Sequence, residues 1–130
     1  MTMQSALRAA DGVASASLER EREALSVAAA LFRGFGDPSR LAIVCHLALG
    51  EHNVRELTGH LGLAQSTVSS HLRCLLDCRM VTVRSRGRAS VYSLATTREL
   101  LDLLAAAERL LAATGDAVSF CPTYGTGART

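Results

Sequence analysis

Cys74 and Cys78 stand four residues apart in the run Gln65-Ser66-Thr67-Val68-Ser69-Ser70-His71-Leu72-Arg73-Cys74-Leu75-Leu76-Asp77-Cys78. On a helix, residues i and i+4 lie one turn apart on one face, near enough for two sulfurs to share an ion. Thiolates are soft donors. A set of them without imidazole suits Cd²⁺, Pb²⁺ or As(III), whereas tetrahedral Zn²⁺ would want a fourth ligand. His71, one turn before Cys74, is a conceivable extra donor, but contact with DNA or backbone suits it better. A solvated carboxylate is the default for Asp77. The bland alternative for the pair is two small buried hydrophobes. A disulfide between them suits neither helix geometry nor a reducing compartment.

The value of the pair depends on the elements that carry it. Residues 1–16 are rich in Ala and Ser without a clear period and are expected to fray. From Ser17, a capping residue followed by Glu19, Glu21 and Glu23, the apolar positions Leu18, Leu25, Ala28, Ala29, Leu31 and Phe32 predict a helix to about Arg33, stopped by Gly34 and Gly36. Asp37-Pro38 is a cap followed by proline at the first helical position and opens a second helix, ended by Gly50. Asn53 with Glu56 has the spacing of a capping box and opens a short third helix, to about Leu61. Gly62-Leu63-Ala64 is a tight turn, and a fourth helix runs from about Gln65 to Arg79.

Residues 80–94 hold two short β-prone runs around Gly87, the signal of a hairpin. Thr96 and Glu99 have capping-box spacing, and Leu100, Leu101, Leu103, Leu104, Leu110 and Leu111 carry a last long helix to Gly115. The order predicts a mainly α chain with a small β-hairpin: a winged helix-turn-helix with an extra helix at each end. Its expected limits are a flexible segment over 1–16, the DNA-binding and dimerisation domain over 17–115, and a tail over 116–130.

A helix, glycine turn and second helix set the second helix into the major groove of DNA. At about 100° per residue, Val68, Leu72, Leu75 and Leu76 share one apolar stripe that must pack on the body. The opposite side carries Thr67, Ser70, His71, Cys74 and Cys78, which argues against a core role for the thiols. Gln65, Ser66, Thr67, Ser69, Ser70, His71 and Arg73 are the candidate DNA contacts on this helix, because small hydroxyls and amides approach base edges and phosphates closely. Arg84, Arg86 and Arg88 surround Gly87 on the hairpin, a phosphate clamp or a minor-groove probe. The plain alternative for both surfaces is a solvated face on a winged-helix protein-interaction module.

Composition agrees with this reading. The 14 basic residues are all Arg, the better residue for forked contacts to phosphate and guanine, but a net charge of +2 means that a DNA surface must come from clustering. A length of 130 residues suits one domain with a real core. No signal-like or membrane-spanning run is present, so the expected location is the cytoplasm, where 4 cysteines point to metal or redox chemistry before structural disulfides. No cysteine has a defensible His and acid arrangement and no phosphate-binding glycine loop occurs, so an enzyme is not expected. Cys45, inside Ala42-Ile43-Val44-Cys45-His46-Leu47, reads as core; His46, His52 and His60 lack partners at metal-ligand spacing and read as surface or cap residues.

Three motifs, Gly36-Asp37-Pro38-Ser39-Arg40-Leu41, Gln65-Ser66-Thr67-Val68-Ser69-Ser70-His71-Leu72 and Gly87-Arg88-Ala89-Ser90-Val91-Tyr92, resemble in that order the ArsR/SmtB family of metal-responsive repressors, with similarity over about residues 31–111. The resemblance implies a homodimer paired through the first and last helices, binding double-stranded operator DNA without metal and releasing it with metal. Family members differ in their metal sites. A Cys-x-Cys pair at the start of the third helix is absent, since His52-Asn53-Val54-Arg55 stands there, and the last helix has no His for the zinc, nickel or cobalt type. The cadmium- and lead-sensing type uses a Cys-x-x-x-Cys pair on the recognition helix and a third cysteine in the C-terminal tail. Cys74, Cys78 and Cys121 match those positions in type and order, which implies a soft divalent effector, Cd²⁺ or Pb²⁺, held between subunits if the tail reaches the partner. A redox- or arsenite-responsive repressor of the same fold stays open beside it.

Overall fold

The computed structural model of the protein describes residues 2–120. The elements in chain order are α1 (Met3–Phe35), α2 (Pro38–Ala48), β1 (His52–Asn53), α3 (Val54–Leu61), α4 (Gln65–Asp77), β2 (Val81–Arg86), β3 (Ala89–Leu94) and α5 (Thr97–Ala113). Two compact units divide between Arg33 and Gly34.

The first unit is nearly all of α1, a 33-residue helix. The segment expected to fray is helical from Met3 onward. Its start is fixed locally, since the Ser5 backbone N–H donates to Thr2 Oγ1 at 3.2 Å. Ala6, Ala9, Ala10, Ala14 and Ala16 supply the rest, because alanine is the strongest helix former and needs no apolar period to favour the helix. Leu7, Leu18, Leu25 and Phe32 are exposed on the single chain.

The second unit begins with the cap that the sequence predicts. Asp37 Oδ1 accepts from the Ser39 and Arg40 backbone N–H groups at 2.8 and 3.1 Å, and Pro38 occupies the first turn. These donors at the N-terminus of α2, the Arg40 N–H foremost, hold the Asp37 carboxyl below its ordinary range. The predicted capping box of α3 is complete: Glu56 N–H donates to Asn53 Oδ1 at 2.8 Å and Asn53 N–H to Glu56 Oε1 at 2.9 Å. The box expected at Thr96 does not form, since the Thr96 side chain makes no capping bond at the start of α5.

The hairpin is larger than predicted by one strand. β1 joins as an edge, giving an antiparallel sheet in the order β1-β3-β2, with His52 opposite Tyr92 and Arg86 opposite Ala89. A two-residue strand has no period to read. Gly87, at φ 63°, makes the wing turn. The core of the unit lies where α2, α3, α4, the base of the wing and α5 meet, with Ile43, Val44, Leu57, Val68, Leu72 and Leu75 fully buried and Met80, Leu100 and Leu104 nearly so.

Candidate nucleic-acid interface and metal site

α3, the left-handed Gly62 at φ 66°, and α4 form the helix-turn-helix. On α4, the apolar stripe holds at Val68, Leu72 and Leu75, while Leu76 is only half-buried. Gln65, Ser66, Thr67, Ser69, Ser70 and Arg73 are exposed. A groove runs from this face to the wing, lined by Ser66, Ser69, Arg73 and Tyr92. A second groove joins Gln65 to Arg55 of α3 and Ser90 of β3, which adds Arg55 to the cations beside the recognition helix. Its isolation in the sequence had concealed it.

His71 differs from its neighbours. Its side chain is 18% exposed, with Nε2 3.9 Å from Asp37 Oδ1 and Nδ1 3.5 Å from Arg40 Nη1. The helical-wheel argument sets His71 opposite the apolar stripe, yet it turns onto the N-terminus of α2. Arg40 is itself tied down, donating from Nε to the Gly34 carbonyl at 2.9 Å. This flank of α4 is therefore a contact surface within the fold rather than open solvent.

Cys74 and Cys78 lie on the same flank, and both are half-buried rather than outward-facing as the angular argument implied. Cys78 N–H donates to the Cys74 carbonyl at 3.0 Å, so one α-helical turn links them although α4 ends at Asp77, with Cys78 as its C-cap. A Cβ built on Gly34 would meet Met80 Cε at 2.5 Å and Cys78 Sγ at 3.4 Å, so a side chain there would have to displace the end of Met80. The two thiols suit a soft ion in type and spacing. Among the described residues, no group of three His, Cys, Asp or Glu side chains is placed to hold a metal ion. Cys121, the implied third donor, lies outside the described residues.

The described chain leads up to it, however. The Phe120 backbone N–H donates to Glu108 Oε2 of α5 at 2.7 Å, and Cys45 Sγ donates to the Phe120 carbonyl at 3.3 Å. Glu108 is 3% exposed, and its other oxygen has no partner among the described residues. Cys45, expected in the core, is half-buried and faces the tail.

On the wing, Arg84, Arg86 and Arg88 are all exposed. Arg84 Nη2 donates to both Glu51 carboxylate oxygens at 2.7 and 2.8 Å, and Arg86 Nη1 lies 3.5 Å from Oε1. The sequence gives no sign of this contact, because β1 and the pairing order that bring Glu51 to β2 are tertiary features. A histidine cluster was likewise hidden. His46, His52 and His60, from α2, β1 and α3, have ring centroids 4.9 to 6.3 Å apart.

A short helix, a left-handed turn, an exposed polar helix and a three-stranded wing rich in arginine define a winged helix-turn-helix DNA-binding domain. The profile of the bacterial regulatory protein, arsR family, matches residues 37–83. The chain is 37% identical over 93 residues to a probable mercury resistance operon repressor of Streptomyces lividans, covering 72% of this chain and 74% of that one. It is 41% identical over 70 residues to the regulator CmtR of Mycobacterium tuberculosis, covering 54% of this chain and 59% of the relative. In fold it is similar to the homodimeric winged helix-turn-helix DNA-binding domain of a possible ArsR-family regulator from Mycobacterium bovis, with a TM-score of 0.63 at 27% identity over 72% of this chain and 90% of that one. The chain belongs to the ArsR family of bacterial transcriptional regulators and is a regulator, not an enzyme. Among the described residues, no helix is long and apolar enough to cross a membrane.

Proposed function

We propose that the protein is a homodimeric, cytoplasmic repressor that binds operator DNA in its metal-free form and releases it on binding a soft ion, Cd²⁺ or Pb²⁺, through Cys74, Cys78 and Cys121. The observation that carries this is the division of α4: one flank offers exposed Gln65, Ser66, Thr67, Ser69, Ser70 and Arg73, the other two half-buried thiols one turn apart. Arg84, Arg86 and Arg88 are the phosphate-directed cations of the wing. The similarity to CmtR in sequence, and the presence of a mercury operon repressor among the relatives, support a thiol-bound metal effector. Zn²⁺ and As(III) are the alternatives: tetrahedral Zn²⁺ would want a fourth ligand, and As(III) suits the same thiolates. The exposed apolar side chains of α1 suit a second copy of the chain as their cover.

A soft ion supplies thiolate bonds strong enough to fix the positions of its donors. The protein's own part is mechanical. Cys74 and Cys78 share their flank with His71, which abuts Asp37 and Arg40, so a shift of the thiol flank is transmitted to the seat of the recognition helix on α2. Linkage requires that DNA weaken metal binding by the factor by which metal weakens DNA binding, with a coupling of about 1–3 kcal/mol being typical. The test is titration with Cd²⁺ under reducing conditions, read by sulfur-to-metal absorption and by DNA release. One ion per chain, absorption lost in Cys74→Ser and release lost in Cys121→Ser, is expected. Metal-saturated dimer that still holds operator as tightly as apo dimer would end the proposal.

Thiol oxidation as the signal is the second reading, and the seat of Cys45 against Phe120, one peptide before Cys121, favours it. Peroxide-driven release without metal, abolished in Cys45→Ser and retained in Cys74→Ser, would replace the metal switch with this one.

A further inference from the structure

The wing does not present three independent cations. Arg84 and Arg86 are two residues apart on β2 and so project from one face of the sheet. Glu51, in the loop before β1, meets both, accepting from the single Arg84 Nη2 on its two oxygens and standing 3.5 Å from Arg86. The Arg84 hydrogen bond, ahead of the Coulombic pull of either arginine, holds the Glu51 carboxyl below its ordinary range, so it is ionised at neutral pH. Two guanidiniums and one carboxylate leave this group at net +1. Arg88, in the turn, forms no ion pair among the described residues.

A carboxylate held at Arg84 Nη2 competes with a phosphate for that nitrogen and offsets the charge that would draw the phosphate to both arginines. The side chains are 36% exposed at Glu51, 55% at Arg84 and 69% at Arg86, so the pair is solvated and worth little to the fold, and an incoming phosphate can displace it. Sequence-independent binding to duplex DNA comes almost wholly from such phosphate contacts, whereas base discrimination belongs to the groups at the base edges.

We propose that Glu51 is an affinity-limiting residue that masks Arg84 and Arg86 of the wing and so holds down binding to the DNA phosphate backbone. A genome offers a vast excess of non-specific sites, and a masked wing lowers the hold of each one on the protein. The proposal rests on the reading of the wing as a DNA-contacting element. Its test separates the two.

Full-length wild type, Glu51→Gln and Arg88→Ala are titrated into a fluorescein-labelled duplex of mixed sequence, followed by anisotropy from about 50 to 200 mM salt. Glu51→Gln is expected to bind about two- to fivefold tighter per protomer, the size of an exposed ion pair, with a log K against log salt slope steeper by about 0.9 per protomer. Arg88→Ala should bind more weakly with a shallower slope. If Arg88→Ala weakens binding while Glu51→Gln leaves it unchanged, Glu51 is no mask. If Glu51→Gln weakens binding, Glu51 presents the arginines instead, and the proposal is overturned. An Arg88→Ala variant equal to wild type removes the wing from DNA altogether, which overturns the underlying reading and the mask with it.

Discussion

His46 and His60 stack with ring centroids 4.9 Å apart and planes 11° from parallel, joining α2 to α3 at a place where the sequence shows only isolated histidines. His52 stands edge-on to both, and its Nδ1–H donates to the Gly50 carbonyl at 2.8 Å. Burial, then the neighbouring His60 and His52, push the His46 pKa below its usual 6.5. The unfolded chain therefore holds more protons than the folded one between that lowered value and 6.5. The contribution of His46 to stability is whole above 6.5 and is lost as pH falls through the lowered value. Urea midpoints should drop from neutral to mildly acidic pH in wild type, and His46→Gln should flatten the drop. An identical pH slope in the variant would show that the stack does not titrate with folding.

The inward turn of His71 separates two kinds of recognition-helix variant. His71→Ala removes a side chain seated between Asp37 and Arg40, so it should weaken DNA binding without changing base preference, and lower stability by about 1 kcal/mol. Gln65→Ala or Arg73→Ala, at exposed positions, should leave the melting temperature alone and cost about 1–3 kcal/mol of discrimination wherever a bidentate base contact is lost. Binding to a panel of operator variants, alongside thermal melts, checks both. Altered base preference in His71→Ala would return that residue to the DNA face.

The legible parts of this chain are those with short-range causes. The Asp37-Pro38 start, the Asn53–Glu56 box and the Gly62 turn act within four residues, and the structure has each of them. The illegible parts have long-range causes or none that periodicity can see. α1 extends to Met3 on alanine propensity and a local bond from Ser5 N–H to Thr2 Oγ1, and β1 exists because β3 pairs with it. On α4, a helical wheel assigns residues to sides but cannot tell how wide the covered side is. The N-terminus of α2 and the passage at Gly34 widen it, which moves His71, Cys74 and Cys78 from the open side to a half-buried flank. The same widening strengthens the proposed switch, since thiols against a neighbouring element can move it.

Glu108 offers a local probe of the tail. Its Oε2 accepts the Phe120 N–H at 2.7 Å in a site only 3% exposed. Glu108→Leu takes the acceptor away and leaves a backbone donor without its partner, at a cost of about 1–3 kcal/mol. Amide exchange at Phe120 should accelerate, with exchange in α4 unchanged, while Glu108→Gln, which keeps an acceptor oxygen, should stay near wild type. Equal exchange at Phe120 in all three proteins would mean that Glu108 does not hold the tail.

Arg79 ends α4 in the left-handed region, at φ 61°, the sole non-glycine residue at positive φ among those described. The reversal is closed by Arg79 N–H to the Leu76 carbonyl at 3.0 Å and Met80 N–H to the Leu75 carbonyl at 2.9 Å, and it delivers Met80 to the core two residues after Cys78. A side chain in this conformation costs roughly 1 kcal/mol, which glycine avoids at the expense of a more flexible unfolded chain. Arg79→Gly should therefore raise stability by about 0.5 kcal/mol in denaturant titration, net of the two effects. Because Arg79 lies beside Cys78, the same variant tests whether the end of α4 must yield when metal binds. Easier reversal should leave Cd²⁺ stoichiometry unchanged and make DNA release occur at lower metal. A destabilised Arg79→Gly would instead show that the arginine side chain holds the turn by contacts stronger than its backbone strain.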